Sequence, residues 1–468
     1  MKKFWNAALM FFCAGVMFAQ EAPDGSGSPQ PVKSISLDEA VALAVQNNLG
    51  LQSGKVTLEK KKRPADLAWN QFLPAVGVSG TLSAANKVSE TQVPVIGPGG
   101  ISYSTVEGPR WGLSAGFQIQ WQGLNFAMFE GIRQLKETYE AGGITYEKAK
   151  IQLERDVRKL YSSILFASEN LKVQEASFAL AEEQVRTATA NFRAGLSPEL
   201  TLMQARLNRD NLVPTLDQTR NNIKVSMANL AMLLGLPYDT DFTLISDDGL
   251  DFDIDLPFHT KELIRSAAGN KIDIQELRAN IRSARTARNA LRYQLLTPSL
   301  SLGWTLAPSF QGDPFKDEWN GDSWTDRGSF SLSLSWSLNG FFPFTTQAAN
   351  LRDLEDDLRN MDINLANLIR AAEVEVYNTV FLIRQAQESV EAQLRTVELA
   401  QQTYDNTLRA FRAGLRDFIE VQNVEQQLRQ ARLGVLQQKL NFLTGVIDLE
   451  YAIGVPFGAL STKDGEKQ

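Results

Sequence analysis

The chain contains 468 residues, of which 43% are hydrophobic and 22% charged, a composition typical of globular proteins. Its net charge is −7, and its longest basic run is the four residues 60–63. Nucleic acid is therefore not an expected partner, because nucleic-acid binding needs a clustered positive surface. One histidine and one cysteine leave few side chains for an imidazole or thiolate metal site.

Residues 1–19 predict a signal peptide, because two lysines precede an apolar run that ends at the small residue Ala19. The run is shorter than the roughly 20 apolar residues that a spanning helix needs. Cys13 follows Phe12, whereas a lipidated cysteine normally follows a small residue, so we interpret it as an unmodified part of the leader. Residues 20–35 are rich in Pro, Gly and Ser, and we expect a flexible start to an exported protein.

The rest of the chain contains two copies of one module. Phe-Arg-Ala-Gly-Leu at 192–196 recurs at 411–415, and Leu-Gly-Leu-Pro at 234–237 recurs as Ile-Gly-Val-Pro at 453–456, in both cases 219 positions later. Copies of this length are too long to be the units of a solenoid. They predict an internal duplication of a module the size of a domain.

The first copy, repeat 1, covers residues 36–237. We predict an opening helix at 37–48, two strands at about 74–85 and 111–122, and a long helical hairpin with its tip at 193–197. Repeat 2 shows the same order after an acidic linker, which we interpret as a connector rather than a loose calcium site. The linker covers 238–257 and repeat 2 covers 258–456, followed by a C-terminal tail at 457–468. Within repeat 2 we predict an opening helix at 261–270, strands at about 298–308 and 328–338, and a hairpin tip at 412–416.

The four predicted strands alternate apolar residues with small polar ones; in the last, Phe330, Leu332 and Leu334 alternate with serines. This pattern suits a half-buried sheet in a soluble protein, or a membrane barrel with an apolar lipid face and a polar lumen. Strand length favours the barrel, since about 9–11 residues cross a bilayer. Aromatic residues near the strand ends are typical of a membrane interface: Trp111, Trp121, Trp336, Phe341 and Phe342.

Four strands cannot close a barrel, and lipid does not tolerate an open sheet edge, so several chains must contribute strands. Two chains would give eight strands with an interior filled by side chains, whereas three would give twelve strands and room for a lumen. The long helices carry apolar residues at alternating spacings of three and four, the pattern of a coiled coil. The first, from about residue 125 to 192, would be on the order of 100 Å long.

The duplicated helix–strand–strand–helix module with its Ala-Gly-Leu turn resembles the TolC-like outer-membrane efflux proteins over roughly residues 35–457. The opening Leu-Asp-Glu-Ala-Val-Ala-Leu-Ala at 37–44, followed by Asn47 and Asn48, is also similar to that family. The resemblance implies a mostly α-helical homotrimer with a shared twelve-stranded barrel in outer-membrane lipid and a coiled-coil tunnel through the periplasm. It also implies an exit channel for efflux or type I secretion that works with a periplasmic adaptor and an inner-membrane pump.

In that family the hairpin tips dock onto the adaptor. The matching residues are Arg193, Ala194, Gly195, Leu196, Arg412, Ala413, Gly414 and Leu415. A simple turn would also account for the glycines, because a helix end needs a positive φ there. We expect both roles, with the glycines forming the turn and the flanking leucine and arginine making the contact.

Some members of the family place two acidic residues, three positions apart, on the helix that follows the second tip. The matching positions are Glu420 and Asn423, so only one is acidic, and their equivalents in repeat 1 are Thr201 and Gln204. We hypothesise that three copies of Glu420 form a negative ring that constricts the tunnel and selects cations. The alternative is an ordinary solvated glutamate on a helix.

The sequence does not predict an enzyme or a cofactor. His259 is the only histidine, so a catalytic triad or histidine metal site would lack partners, and no phosphate-binding loop is present. Any energy source must therefore belong to a partner. The competing class is a coiled-coil envelope spacer or surface adhesin, which would account for the leader and the rods but not for the alternating strands.

Overall fold

The computed structural model describes residues 34–245 and 260–460, apart from the single residues 89, 99, 109, 124 and 326. The predicted leader with Cys13, most of the N-terminal segment, most of the acidic linker, His259 and the last eight residues lie outside the described residues. Among the helices that are described, none is long and apolar enough to cross a membrane.

The two repeats contain the same kinds of element in the same order. Repeat 1 consists of α1 (Leu37–Asn47), α2 (Leu49–Asp66), β1 (Ala75–Ala84), β2 (Glu90–Gly97), β3 (Gly100–Glu107), β4 (Trp111–Trp121), α3 (Phe126–Arg193) and α4 (Glu199–Leu233). Repeat 2 consists of α5 (Thr260–Asn270), α6 (Ile272–Leu296), β5 (Ser299–Leu306), β6 (Ser309–Phe310), β7 (Trp324–Thr325), β8 (Gly328–Ser335), α7 (Thr346–Arg412) and α8 (Phe418–Ile453).

Each opening segment forms two helices rather than the single one predicted, with a one-residue break at Asn48 or Lys271. Asn48 ends α1 and begins α2, because its Oδ1 accepts a hydrogen bond from the Leu51 N–H at 3.0 Å. Its Nδ2 also donates to the carbonyl of Leu233 at 3.0 Å, which ties the start of repeat 1 to its end. Neither α2 nor α6 was predicted; α2 contains Pro64 and a run of basic residues that hide its helical period.

The main sheet is antiparallel, and its long strands follow the order β1–β4–β5–β8. The short strands β6 and β7 pair with each other beyond the ends of β5 and β8. They extend these two strands, so the sheet still contains four main strands. The chain leaves the strand conformation around Pro308, which separates β5 from β6. The last strand ends at Ser335 instead of continuing to residue 338, because Leu338–Phe341 form a 3₁₀ turn.

The register places the apolar residues of all four long strands on one face of the sheet. Val76 lies opposite Ile119, which lies opposite Trp304, which in turn lies opposite Phe330. The adjacent row on the other face contains only small or polar residues: Ala75, Gln120, Gly303 and Ser331. One face is therefore suited to lipid and the other to water, as the alternation of the sequence predicted.

A further hairpin, β2–β3, was not predicted. Within the described part of the chain, its strands pair only with each other, from Glu90 opposite Glu107 to Gly97 opposite Gly100. The positive φ of Gly100, +112°, closes the turn. The Gly-Pro-Gly-Gly sequence at 97–100 is the local signal for this turn.

The buried core consists mainly of two equivalent clusters, one in each repeat. In repeat 1, residues of α1, α3 and α4 pack together around Val157, Leu230 and Leu234. In repeat 2, residues of α5, α7 and α8 pack around Val376, Leu449 and Ile453. The duplication seen in the sequence is therefore a duplication of the core.

A polar cluster joins α3 of repeat 1 to the start of α6 of repeat 2, and we call its members Lys148, Asp273 and Glu276 the repeat staple. The Lys148 ammonium on α3 lies 2.7 Å from the Asp273 carboxylate and 2.8 Å from that of Glu276, both on α6. Thr145 also donates to Glu276 at 2.7 Å. The equivalents of the two acids in α2 are Gly50 and Ser53, so only repeat 2 supplies this charge.

Burial alone would lower the pKa of Lys148, but hydrogen bonds to Asp273 and Glu276 outweigh it and raise the pKa. Burial alone would raise the pKa of Glu276, but hydrogen bonds from Lys148 and Thr145 outweigh it and lower the pKa. Both shifts favour the charged forms. The staple therefore holds repeat 1 against repeat 2 through charged hydrogen bonds that are shielded from much of the solvent.

Four glycines end helices with nearly the same positive φ, between +70° and +74°: Gly195, Gly235, Gly414 and Gly454. Their surroundings differ. A Cβ added at Gly454 would lie 2.5 Å from the carbonyl oxygen of Asn270, and one at Gly235 would overlap that of Asn47. A Cβ at either tip glycine would meet no atom within 4 Å.

We expect Gly235→Ala and Gly454→Ala to lower the midpoint of thermal unfolding more than Gly195→Ala and Gly414→Ala. All four substitutions place alanine at a positive φ, which costs about 1–2 kcal/mol. Only the first two also force a Cβ into a backbone carbonyl. The measurement is helical circular dichroism during heating in detergent, and equal losses in all four variants would contradict this account.

We expect Lys148→Met to destabilise the protein by on the order of 1–3 kcal/mol, because it leaves the partly buried Glu276 without its cation and leaves Asp273 with only the more distant Lys271, at 3.9 Å. The depressed pKa of Glu276 makes its contribution complete above the ordinary glutamate pKa, about 4.3, and lost as pH falls through the lower folded-state pKa. The raised pKa of Lys148 keeps its contribution complete below about 10.4. The difference from wild type should therefore be constant at neutral pH and shrink in acid.

Lys159→Met is the matched control. Lys159 pairs with Asp448 at 2.8 Å and also joins α3 to repeat 2, but both side chains are more exposed than those of the staple. Its loss should change stability by less than about 1 kcal/mol. Thermal unfolding of both variants from pH 3 to pH 8 makes the comparison, and equal effects would show that burial of the staple contributes nothing.

Candidate functional site

The two hairpin tips have the same backbone hydrogen bonds. At the first tip, the Gly195 N–H donates to the Phe192 carbonyl at 3.0 Å and the Leu196 N–H to the Asn191 carbonyl at 2.8 Å. At the second, the Leu415 N–H donates to the Ala410 carbonyl at 2.9 Å. This is the helix-ending pattern in which a left-handed residue satisfies the last carbonyls. The repeated Ala-Gly-Leu sequence therefore makes two identical turns.

Each turn projects one leucine into solvent. Leu196 is 78% exposed and Leu415 is 77% exposed, while Arg193 and Arg412 are exposed on the preceding helix turn. Exposed apolar side chains at the end of a rod contribute nothing to the core beneath them. Each tip thus exposes an apolar side chain and a positive charge together.

The tips of one protomer also contact each other. Phe418, the first residue of α8, is buried among Ala188, Leu202 and Ala205 of the first hairpin. Its ring lies 5.7 Å from that of Phe411 on α7. The two hairpins therefore end at the same level, because an aromatic side chain of one is inserted between the two helices of the other.

Glu420 lies on the first turn of α8, half-buried, and it is not an isolated negative charge. Its Oε2 accepts a hydrogen bond at 2.9 Å from Nη1 of Arg416, which lies in the turn just before α8. Asn423 is exposed on the next turn. Arg416 was not predicted as part of this site, although it lies only four residues before Glu420. The equivalent of Arg416 in repeat 1 is Ser197.

The corresponding residues of repeat 1, Thr201 and Gln204, are both half-buried on α4. The carbonyl of Gln204 accepts a hydrogen bond from Gln422 Nε2 of α8 at 3.4 Å. The structure therefore brings Gln204 next to the helix that carries Glu420 and Asn423. Thr201 has its N–H bonded to the Pro198 carbonyl at 3.1 Å, as part of the first turn of α4.

Further along the hairpins lies a buried polar layer that the sequence did not suggest. Glu425 on α8 is buried, and its Oε1 lies 3.8 Å from Arg429 Nη1, which has no hydrogen-bond partner in the described part of the chain. Burial raises the pKa of Tyr404 on α7, and the negative charges of Glu425 and Asp405 raise it further. Such incompletely paired layers weaken coiled-coil packing, and here the layer lies close to the tips.

Comparison with protein families identifies the module. The family model for outer membrane efflux proteins matches residues 40–236 and 263–455, which are the two repeats without the linker. No curated protein sequence matches the chain. The family match covers most of the chain, and it is made twice, as the internal duplication requires.

Solved structures show the same fold at low sequence identity. CusC, described as forming a transmembrane channel, is 19% identical with a TM-score of 0.72, covering 90% of this chain and 92% of CusC. The CmeC outer membrane channel of Campylobacter jejuni is 17% identical with a TM-score of 0.72, covering 89% and 85%. The outer membrane protein VceC of Vibrio cholerae is 14% identical with a TM-score of 0.70, covering 90% and 96%.

These matches confirm the predicted fold class, a mostly helical, duplicated chain with strands for a barrel and helices for a tunnel. Channels of this family are trimeric and work with adaptor and pump partners. Nothing in the comparisons favours the alternative of a coiled-coil spacer or adhesin. The chain belongs to the outer membrane efflux protein family, and it is an outer-membrane efflux channel rather than an enzyme.

Proposed function

We propose that three copies of the chain form one exit duct, which receives substrates from an adaptor and an inner-membrane pump and releases them outside the cell, in efflux or in type I secretion. The observation that carries the proposal is a four-stranded sheet with one apolar face and two unpaired edges, joined directly to helices about 100 Å long. In a single protomer the sheet does not close into a barrel, and the helices do not enclose a tunnel.

The sheet edges support the trimer. The outer edges of β1 and β8 have no partner among the described strands. In lipid an unpaired backbone N–H or C=O costs several kcal/mol, so these edges must pair with those of other copies. Three copies supply twelve strands, enough for an open lumen, whereas two would enclose side chains only.

The helices support the same assembly. On α4, Leu200, Met203 and Leu207 form an exposed apolar stripe at helical spacing. On α7, Val374, Tyr377 and Phe381 form another. Patches of this kind mark protein–protein contacts. We assign them to the seams between neighbouring protomers along the tunnel.

Aromatic side chains support contact with outer-membrane lipid. Where the strands join the helices, the indole of Trp121 donates to the Phe72 carbonyl at 2.9 Å and that of Trp336 to the Leu296 carbonyl at 3.3 Å. Phe341, Phe342 and their neighbours are exposed at the same junction. Trp111 lies at the opposite end of β4. Rings at both ends of the strands suit the two interfaces of a bilayer.

We assign adaptor docking to the two tips, which share the sequence Arg-Ala-Gly-Leu at Arg193–Leu196 and Arg412–Leu415. Each tip exposes a leucine and an arginine at the end of the tunnel that is far from the membrane. The pump would then meet the duct through the adaptor or at the tips themselves. We assign the constriction to Glu420 and Asn423 with Thr201 and Gln204. The Arg416–Glu420 pair makes this ring one of mixed charge rather than purely negative.

The function is tested by native mass spectrometry of the protein extracted from outer membranes, together with single-channel recording in a planar bilayer. We expect a trimer that conducts ions. Glu420→Gln should lower the preference for cations, because it removes the negative member of the ring. Arg416→Gln should raise that preference, because it leaves Glu420 without its neighbouring cation.

The two variants control for each other, since each removes one charge of the same surface pair. Unchanged selectivity in both would remove Glu420 from the constriction while leaving the channel intact. A monomer that does not conduct and that washes off the membrane without detergent would contradict the duct itself.

We expect the double variant Leu196→Asp with Leu415→Asp to abolish efflux in cells, because it replaces the two exposed apolar contacts of each protomer with charges. Trimer mass and bilayer conductance should not change, since neither side chain contributes to the core. Efflux of a fluorescent dye measures the effect. Leu49→Asp is the matched control, because Leu49 is equally exposed at the start of α2, away from both tips. If the double variant exports dye at the wild-type rate, as the Leu49→Asp control should, the tips are not the docking surface.

A further inference from the structure

The hairpin β2–β3 continues the ribbon of β1 and β4 on the side away from the helices. β1 and β4 pair from Ala75 opposite Gln120 to Ala84 opposite Trp111, a length that crosses a bilayer. Four charged residues then follow where the ribbon is interrupted: Lys87, Glu90, Glu107 and Arg110. We call these four residues the charged collar. The hairpin beyond them lies outside the membrane-spanning part of the sheet.

The hairpin beyond the collar has no charge. Residues 91–106 include no Asp, Glu, Lys or Arg. Ile96 lies opposite Ile101, next to Pro94 opposite Tyr103, on one face of the ribbon. Ile96 is 84% exposed, Tyr103 70% and Ile101 67%. The other face exposes valines at 93, 95 and 106.

An apolar two-stranded ribbon with both edges open is marginally stable in water and prone to pair with other chains. The corresponding loop of repeat 2 avoids this problem. It carries several charged residues, and Phe310 is buried against Trp319 and Trp324, with ring centroids 5.5 Å apart in each pair. By contrast, apolar side chains are exposed on both faces of the β2–β3 hairpin. We therefore expect another molecule to cover them.

The position of the hairpin indicates which molecule. Acyl chains are not expected to cover it, because the charged collar separates it from the spanning strands. The outer edge of β1 must pair with the next protomer to close the barrel, and β2–β3, a separate two-stranded sheet, lies in the chain between β1 and β4 beyond the collar. The nearest surfaces to the hairpin are therefore other copies of itself around the threefold axis.

We propose that the three β2–β3 hairpins of a trimer pack against one another above the barrel and close its external mouth. Twelve strands about 4.8 Å apart and tilted about 40° enclose a barrel roughly 24 Å across. A strand of eight residues extends about 26 Å, which exceeds the distance from wall to axis. Ile96, Ile101 and Tyr103 then meet at the centre. The inference rests on the proposed trimeric duct.

Cysteine cross-linking tests the contact, and the only native cysteine, Cys13, belongs to the predicted leader. Ile101→Cys should give disulfide-linked dimers on a denaturing gel after oxidation, because a single site on a threefold axis links two of three chains. Phe315→Cys is the matched control, since Phe315 is also 67% exposed but belongs to the self-covered loop of repeat 2. It should remain monomeric on the gel.

Conductance tests the closure. Replacing residues 91–106 by an Asn-Gly turn keeps the collar and should raise single-channel conductance without changing the mass of the trimer. Oxidised Ile101→Cys channels should conduct less than reduced ones, and a reducing agent should restore their conductance.

Two outcomes would overturn the lid and leave the duct intact. The first is a native trimer in which Ile101→Cys forms no more dimer than Phe315→Cys. The second is a fluorophore on Ile101→Cys that becomes shielded only in vesicles containing lipopolysaccharide, which would assign the hairpin to lipid headgroups. A monomer in native mass spectrometry would instead contradict the duct on which the lid depends.

Discussion

The structure depends on one constraint, which is that backbone hydrogen-bonding groups cannot remain unpaired in lipid. A single chain supplies only four strands, with an apolar face that suits lipid and two edges that lack partners in the described sheet. These edges are satisfied only when other copies complete the barrel. Because each strand leads into a helix, the arrangement of the strands around an axis also arranges the long helices around that axis. The tunnel therefore follows from closure of the barrel.

Because each chain contains the module twice, a trimer arranges six copies of it around its axis. The two modules are equivalent in their cores and turns but differ in their polar contacts. Asp273 and Glu276 of repeat 2 bind Lys148 of repeat 1, while the equivalent positions in α2 are Gly50 and Ser53. The seam between repeats inside one protomer is thus held by charged hydrogen bonds. We assign the apolar stripes of α4 and α7 to the seam between protomers.

The same divergence shapes the functional ends of the molecule. Beside the hairpin tips, Arg416 accompanies Glu420 in repeat 2, whereas Ser197 and Thr201 occupy the equivalent positions of repeat 1. At the other end, repeat 2 has a charged loop with its own aromatic core, while repeat 1 has the uncharged hairpin β2–β3. The two modules therefore have equivalent cores, whereas their polar and exposed ends differ.

Local patterns in the sequence determined a large part of this protein. Period-two alternation predicted the long strands and their apolar face, the three–four spacing predicted the rods, and the Ala-Gly-Leu turns located both tips. Each is a property of neighbouring residues, so it can be read without knowing the rest of the fold. The sequence did not show α2, whose period is obscured by Pro64 and its basic run, nor that the turn at Gly100 closes a separate hairpin.

Only the tertiary structure decided the contacts between distant segments. Lys148 and Glu276 are 128 positions apart, and no local pattern pairs them. Gly235 and Gly454 end helices just as the tip glycines do, yet only they abut the backbone of an opening helix. The physical reason is that periodicity specifies which face of an element is buried. The side chain that meets that face depends on how elements far apart in the chain pack together.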